Sequence, residues 1–132
     1  MEEKRLEEVV RKVLRSEHPE LDGEIRFIFV DNAYIQDLNR RFLQHDYPTD
    51  VISFPLEVGD SFLDGEVYIS EERAREQAEL LGVDPIEELW RLVLHGLLHL
   101  LGYDDLTDEN RRRMHALQER YLEKFGLKRK ES

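Results

Sequence analysis

The segment that most constrains this chain runs from residue 95 to residue 105 and reads HGLLHLLGYDD. His95 and His99 stand one helical turn apart in an otherwise apolar stretch, so in a helix both imidazoles lie on the same face. Two imidazoles at that spacing can bind one metal ion, which needs a further ligand from outside the straight helix. Gly102 can adopt the left-handed backbone that reverses the chain. The segment therefore predicts a metal site built from a helix and the turn after it.

The turn carries two candidate carboxylates. On spacing we expect Asp105 to be the third ligand; Asp104 stays open as an alternative ligand or as an acceptor that orients a histidine. The pattern His-x-x-x-His-x-x-Gly-x-x-ligand has the framework of the metzincin zinc proteases. Those proteases carry a glutamate base directly after the first histidine, where this chain has Gly96. We expect a metal-bound water to be the nucleophile, so that His95, His99 and Asp105 act through the metal.

A simpler interpretation competes with metal binding, because a histidine in an apolar helix is usually a core residue whose nitrogens are hydrogen-bonded. The combined spacing of the histidine pair, the glycine and the carboxylate favours the metal. The other three histidines fit simpler roles. We expect His18 at a helix end, His115 on a surface beside arginines, and His45 in a proline-containing loop at the surface or in a cleft.

Apolar periodicity and terminal signals divide the chain into helices and strands. Strands are predicted over 24–30, over 51–54, where Pro55 stops the strand, and over 66–69, with a loop over 57–64. Helices are predicted over 2–17, from an Asp31 cap through a buried stripe of Ile35, Leu38 and Phe42, from Ser70 to Gly82, from Asp84 to about Leu101, and from Thr107 to Gly126. This order indicates a mixed α/β or α+β domain in which helices outweigh strands.

Length and composition limit the class of protein. A chain of 132 residues suffices for one domain with one core, so we expect residues 1–132 to form a single domain. The absence of cysteine excludes disulfides and thiolate metal sites. A formal net charge of -11 argues against nonspecific coating of nucleic acid. Without an apolar run long enough for a bilayer, we expect a cytoplasmic protein with no membrane partner.

Several motifs occur in the order of one known family. Residues 95–104, with the pattern His-Gly-x-Leu-His-Leu-x-Gly-Tyr-Asp, resemble the signature of the YbeY family of bacterial endoribonucleases. The resemblance continues upstream in Leu38-Asn39, in Asp46-x-Pro48-Thr49-Asp50-Val51-Ile52-Ser53-Phe54-Pro55, and in Leu63-Asp64-Gly65-Glu66. From these motifs the chain is identified as a member of the YbeY family.

The resemblance implies a fold, a cofactor and an activity. The expected fold is a single α+β domain with a small, mixed, four-stranded sheet, flanked by about five helices and carrying a metzincin-like zinc helix. The expected cofactor is one Zn²⁺ ion. The expected activity is metal-dependent endonucleolytic cleavage of single-stranded RNA in the 3′-end maturation of small-subunit ribosomal RNA and in ribosome quality control. The expected partners are ribosomal RNA and the ribosome or its proteins.

Two positions depart from the family pattern. Asp105 stands where the family usually has a histidine; a carboxylate still binds Zn²⁺ but makes the site harder and can broaden metal choice. Leu43 stands where the family typically has an arginine, which leaves open what neutralises the phosphate. Arg40 or Arg41 could reach the same cleft from another helical position. Ser53 and Phe54 are expected to line the cleft as part of a strand wall.

Two further functions compete with the ribonuclease. One is another metal hydrolase, such as a peptidase whose base comes from elsewhere in the chain. The other is a ribosome assembly or binding factor in which the zinc is mainly structural, an interpretation that gains from the acidic charge and the missing arginine. An open coordination position would favour an enzyme, whereas a fourth protein ligand would favour a structural site.

Overall fold

The computed structural model describes residues 1–43 and 49–128 of the chain. Within these ranges the fold is α+β, as predicted, with five helices and three strands. His45 and the Asp46–Pro48 part of the motif lie outside the described residues. In chain order the elements are α1 (Glu3–Glu17), β1 (Asp22–Val30), α2 (Asn32–Leu43), β2 (Val51–Val58), β3 (Phe62–Ser70), α3 (Glu71–Leu81), α4 (Pro85–Leu100) and α5 (Asp108–Lys124).

The sheet is mixed, with strand order β1-β3-β2. β1 runs parallel to β3, with Phe27 opposite Val67, and β2 runs antiparallel to β3, with Ser53 opposite the same Val67. The expectation of a fourth strand is not met in the described residues, where the sheet has three. The reason lies in the sequence: its other long regular segments have helical periodicity and form the five helices.

The second and third strands are longer than predicted. Pro55 does not stop β2, and most of the segment expected as a loop over 57–64 instead belongs to a hairpin in which β2 continues to Val58 and β3 begins at Phe62. β2 is an edge strand, so one side of its backbone needs no ladder partner, and proline is tolerated there. A register shift between Pro55 and Glu57 accommodates the irregular backbone.

The alternation of side chains assigns the helices to opposite faces of the sheet. Val67 faces α4, because a Cβ added at Gly96 of that helix would meet the Val67 side chain. Tyr68, the next residue, faces α2, where its ring stacks on Tyr34 at a centroid distance of 6.2 Å. Helices α4 and α2 therefore cover different faces of the same small sheet.

The main hydrophobic core lies between the sheet and the helices other than α2. Fully buried residues in this cluster include Val9 and Val13 of α1, Val67 and Ile69 of β3, Val93, Leu94 and Leu97 of α4, and Leu122 of α5. Each fully buried aliphatic side chain stabilises the fold by roughly 1.5–3 kcal/mol. In the described part of the chain, no helix is both long and apolar enough to cross a bilayer.

The predicted apolar stripe of α2 is buried only at its beginning. Ile35 is fully buried and Leu38 half-buried, but Phe42 is 61% exposed, so the prediction was wrong for Phe42. The Phe42 ring lies at the last turn of α2 and meets the edge of Phe54 in a T-shaped contact at 5.7 Å. Contact with Phe54 therefore leaves most of Phe42 exposed.

Candidate metal centre

The two histidines lie on α4, a helix with strong terminal signals. Its N-cap is Asp84, whose side chain accepts a hydrogen bond from the Ile86 N–H, and Pro85 occupies the first helical position. The first helical residue lies ten positions before His95, and this start determines which side chains of α4 share one face. The Nε2 atoms of His95 and His99 lie 3.1 Å apart, and their rings cross at 78°. The imidazole pair therefore converges on one point, as the spacing predicts.

The turn after α4 brings the carboxylate to the pair. Gly102 has a φ of +101°, and the N–H groups of Gly102 and Tyr103 donate to the carbonyls of His99 and Leu98, each at 3.1 Å. An Asp105 oxygen then lies 3.8 Å from His99 Nε2. The ligand atoms of His95, His99 and Asp105 all lie within 4.8 Å of one another. These are the three residues expected from the sequence.

Asp104 points to the turn itself. Its carboxylate accepts hydrogen bonds from the Leu106 N–H at 3.0 Å and from Asn110 Nδ2 at 2.9 Å. The hydrogen bonds from Asn110 and then from Leu106 lower the pKa of Asp104 below its ordinary value. Asp104 therefore fixes the path between Gly102 and the start of α5, while Asp105 faces the histidines.

The acceptor that orients a histidine comes from α5 and was missed by the sequence reasoning. His95 Nδ1 lies 3.1 Å from Oε1 of Gln118, a side chain that is 5% exposed. Arg91, one turn before His95, binds Glu119, the next residue on α5, at 2.9 Å and so joins the same two helices. The sequence does carry one sign of this role, because Gln118 is a polar residue at one of the buried positions of α5.

The pKa of His99 and the hydrogen bond of His95 suit metal binding. Burial, and then the charge of the neighbouring His95 imidazole, lower the pKa of His99 below its ordinary value. His99 is therefore neutral at pH 7, with a lone pair free for a ligand bond. In the neutral form of His95, donation of the Nδ1 hydrogen to Gln118 leaves Nε2 as the acceptor.

Gly96 allows α4 to approach the sheet closely. A Cβ at this position would stand 2.4 Å from Val67 Cγ1 and 3.0 Å from Val51 Cγ2, distances that force neighbouring atoms to move. The Gly96 carbonyl accepts a hydrogen bond from the Ser53 hydroxyl at 2.8 Å. The position that holds the general base in metzincin proteases is therefore packed against β2 and β3.

The residues predicted to bind substrate lie on both faces of the sheet. Ser53 contacts the metal helix, whereas Phe54 faces α2 and packs against Phe42 and Tyr68. Arg40 and Arg41 lie at the end of α2, where both bind Asp37, at 2.6 and 3.4 Å. The structure therefore brings only Ser53 to the helix that carries the histidines.

The three donors fit a divalent cation. Zinc binds histidine nitrogens at about 2.0–2.1 Å, so two such ligands in a tetrahedral site stand roughly 3.3 Å apart. The 3.1 Å between the Nε2 atoms of His95 and His99 is close to that separation. Asp105, with 44% of its side chain exposed, can adjust to complete the set.

Comparison with known proteins identifies the family of the chain. The family model described as endoribonuclease YbeY matches residues 1–126. The chain belongs to the YbeY endoribonuclease family. It is 42% identical over 133 residues to the endoribonuclease YbeY of Bacillus cereus, an alignment that covers 92% of this chain and 85% of the relative. It is 41% identical over 119 residues to that of Flavobacterium psychrophilum, covering 90% and 84%.

A solved structure shares the fold. The solution structure of TM1509 from Thermotoga maritima matches with a TM-score of 0.64 and 35% identity, covering 92% of this chain and 81% of that one. The YbeY match includes the whole segment from Leu38 to Asp105 on which the resemblance was based.

Proposed function

We propose that this YbeY-family protein is a metal-dependent endoribonuclease that cleaves single-stranded RNA, with residues 1–132 acting as one metallohydrolase domain. The observation that carries the proposal is the convergence of His95, His99 and Asp105, whose ligand atoms lie within 4.8 Å of one another. In a chain of an endoribonuclease family, this cluster is the natural place for phosphodiester hydrolysis.

The proposed cofactor is one Zn²⁺ ion held by these three side chains. When bound, such an ion polarises a phosphate oxygen and lowers the pKa of a water molecule. The chain's own contribution is to hold the ligands: Gln118 orients His95, and the Gly102 turn presents Asp105. The carboxylate adds negative charge and a hard ligand, so the site also suits harder divalent cations than a three-histidine site does.

The packing of Gly96 supports a nuclease over a peptidase of the metzincin kind. A glutamate at that position would have to displace Val67 and Val51 before it could act as a base. A peptidase would need a base from another part of the chain. Phosphodiester cleavage through a metal-activated water does not require that glutamate.

The substrate-binding part of the proposal rests on Ser53, Phe54, Arg40 and Arg41. Phe54 joins a row of rings that links Phe42, Phe54, Tyr68 and Tyr34 by centroid distances of 5.7, 5.7 and 6.2 Å. The end rings, Phe42 and Tyr34, are 61% and 51% exposed, and Arg41 lies over Phe42 at 5.9 Å. Exposed rings beside guanidinium groups suit stacking of unpaired bases. An RNA strand bound to these rings would cross the exposed edge of β2 to reach the metal.

The cellular role that we propose follows the family resemblance. The substrate would be ribosomal RNA in the cytoplasm, cleaved in the 3′-end maturation of the small subunit and in ribosome quality control. The protein would meet the ribosome or ribosomal proteins as partners. The net charge of -11 fits selective docking on such a particle better than nonspecific RNA coating.

A ribosome-binding factor with structural zinc is the second candidate, favoured by the uncharged Leu43. Structural zinc sites are closed by four protein ligands, whereas catalytic sites keep a position open. The group found in the described residues has three members, which supports the enzyme.

Replacement of His99 tests the function. We expect His99→Ala to lose stoichiometric metal and cleavage of single-stranded RNA together, since it removes one of three ligands. His115→Ala is the matched control, because His115 is an exposed histidine on α5. Metal content and cleavage of single-stranded and duplex RNA are measured on both variants. Full cleavage by a metal-free His99→Ala protein would contradict the proposal.

A further inference from the structure

The metal centre has a cation bound to the backbone of one of its ligand residues. Arg111 lies in the first turns of α5, and its Nη2 group donates to the backbone carbonyl of Asp105 at 3.4 Å. Its Nη1 group binds the Asp108 carboxylate at 2.9 Å. Two contacts thus hold the guanidinium beside the turn that carries the third metal ligand.

Arg111 is free to bind a further anion. Its side chain is 61% exposed, and that of its ion-pair partner Asp108 is 82% exposed. An exposed ion pair of this kind is worth only about 0–1 kcal/mol, so an incoming phosphate can replace it. A guanidinium has five N–H donors in a planar fork, which binds phosphate oxygens in pairs.

The other arginines discussed above are placed differently. Arg91 is mostly buried and binds Glu87, Glu88 and Glu119. Arg40 and Arg41 bind Asp37 on the helix that covers the opposite face of the sheet. Leu43, at the end of that same helix, carries no charge.

We propose that Arg111 binds the phosphate group of the RNA substrate beside the metal ion and offsets the negative charge that Asp105 adds to the site. The inference rests on the proposed function for the nature of the substrate. It does not follow from the family pattern, because it concerns a residue outside the motifs that carry the resemblance. Arg111 would act on the charge that develops on the phosphate in the transition state.

The test compares two variants that each remove one positive charge from α5. Arg111→Ala removes the proposed phosphate ligand. Arg113→Ala is the matched control, because Arg113 is 71% exposed and binds Glu109 on its own helix. For zinc-loaded protein we expect Arg111→Ala to lower kcat for a single-stranded oligoribonucleotide about 100-fold. We expect Arg113→Ala to stay near wild type and Arg111→Lys to recover part of the loss, because it restores charge without the fork.

A second readout is independent of RNA cleavage. Binding of inorganic phosphate to the zinc-loaded protein is measured by calorimetry, and Arg111→Ala is expected to weaken it about tenfold or more. Equal phosphate affinity in the Arg111→Ala and Arg113→Ala proteins would overturn the proposal. Loss of zinc from Arg111→Ala would also overturn it, since Arg111 would then only support Asp105.

The two hypotheses can fail separately. A wild-type protein that binds phosphate through Arg111 but cleaves no RNA would contradict the proposed nuclease and leave the phosphate site standing. If the wild-type protein cleaves RNA and the Arg111→Ala variant cleaves it equally well, the proposed nuclease stands and the role of Arg111 is contradicted.

Discussion

The Nδ1 atom of His95 lies 3.1 Å from the Oε1 atom of Gln118, so α5 fixes the ring orientation of a proposed metal ligand on α4. An acceptor at Nδ1 selects the tautomer whose Nε2 lone pair faces His99. Loss of such an outer contact typically lowers metal affinity by about 10- to 100-fold. The pairing of α4 with α5 is therefore part of the site.

We expect Gln118→Leu to weaken zinc binding by about 10- to 100-fold, because the Nδ1 hydrogen of His95 loses its buried acceptor. Gln118→Glu keeps an acceptor and should retain most of the affinity. Gln77→Leu, which removes a glutamine that binds Asp50, is the control for an amide lost elsewhere. Competition with a chromophoric chelator gives the dissociation constants. Unchanged zinc affinity in Gln118→Leu would show that packing alone orients the ring.

The close contact at Gly96 predicts that Gly96→Ala destabilises the protein, although helix propensity alone would predict a stabilising effect. Alanine is usually better than glycine inside a helix by about 1 kcal/mol. Here the added Cβ would stand 2.4 Å from Val67 Cγ1, so we expect Gly96→Ala to destabilise the protein by about 1–3 kcal/mol. Urea unfolding gives the free energy. A Gly96→Ala protein more stable than the wild type would contradict the close packing of α4 on Val67.

A double variant identifies Val67 as the cause of that loss. Val67→Ala opens space at the contact. The double variant should therefore lose less stability than the sum of the losses in the two single variants, by roughly 1 kcal/mol or more. Val13→Ala, which truncates a fully buried valine on α1, serves as the control. Its combination with Gly96→Ala is expected to be additive.

The hydrogen bonds that Glu17 accepts from two tyrosines predict how the free energy of unfolding changes at alkaline pH. Its carboxylate accepts hydrogen bonds from the Tyr103 hydroxyl at 2.5 Å and from the buried Tyr121 hydroxyl. Burial, followed by the hydrogen bond to Glu17, raises the pKa of Tyr121 to about 12 from its ordinary 10.0. Between these values the unfolded chain has released a proton that the folded chain still holds, so stability is complete below about pH 10 and falls toward pH 12.

We expect Tyr121→Phe to make this alkaline fall shallower while lowering stability at neutral pH, because the phenol that couples folding to the proton is gone. Tyr34→Phe, on the exposed start of α2, is the control and should keep the wild-type slope. Urea unfolding at several pH values up to about 12 gives the slopes. Parallel curves for Tyr121→Phe and wild type would contradict the assignment.

The sequence by itself determined the local part of this protein. His95 and His99 share a helix face because four residues make about one turn, and Gly102 can reverse the chain whatever surrounds it. The caps Ser70, Asp84 and Thr107 likewise act within one turn of their own helices. These features depend on backbone geometry over a few residues, so spacing alone predicted the helix, the turn and the three residues that converge.

The tertiary structure decided what depends on distant contacts. Gln118 became the partner of His95 only because α5 packs on α4, and Pro55 stayed within β2 only because that strand is at the sheet edge. Strand alternation placed Ser53 toward α4 and Phe54 toward α2. Phe42 is 61% exposed despite its helical period, with Phe54 as a ring contact. Spacing along a chain fixes the phase of a side chain, but what meets it depends on how the elements pack.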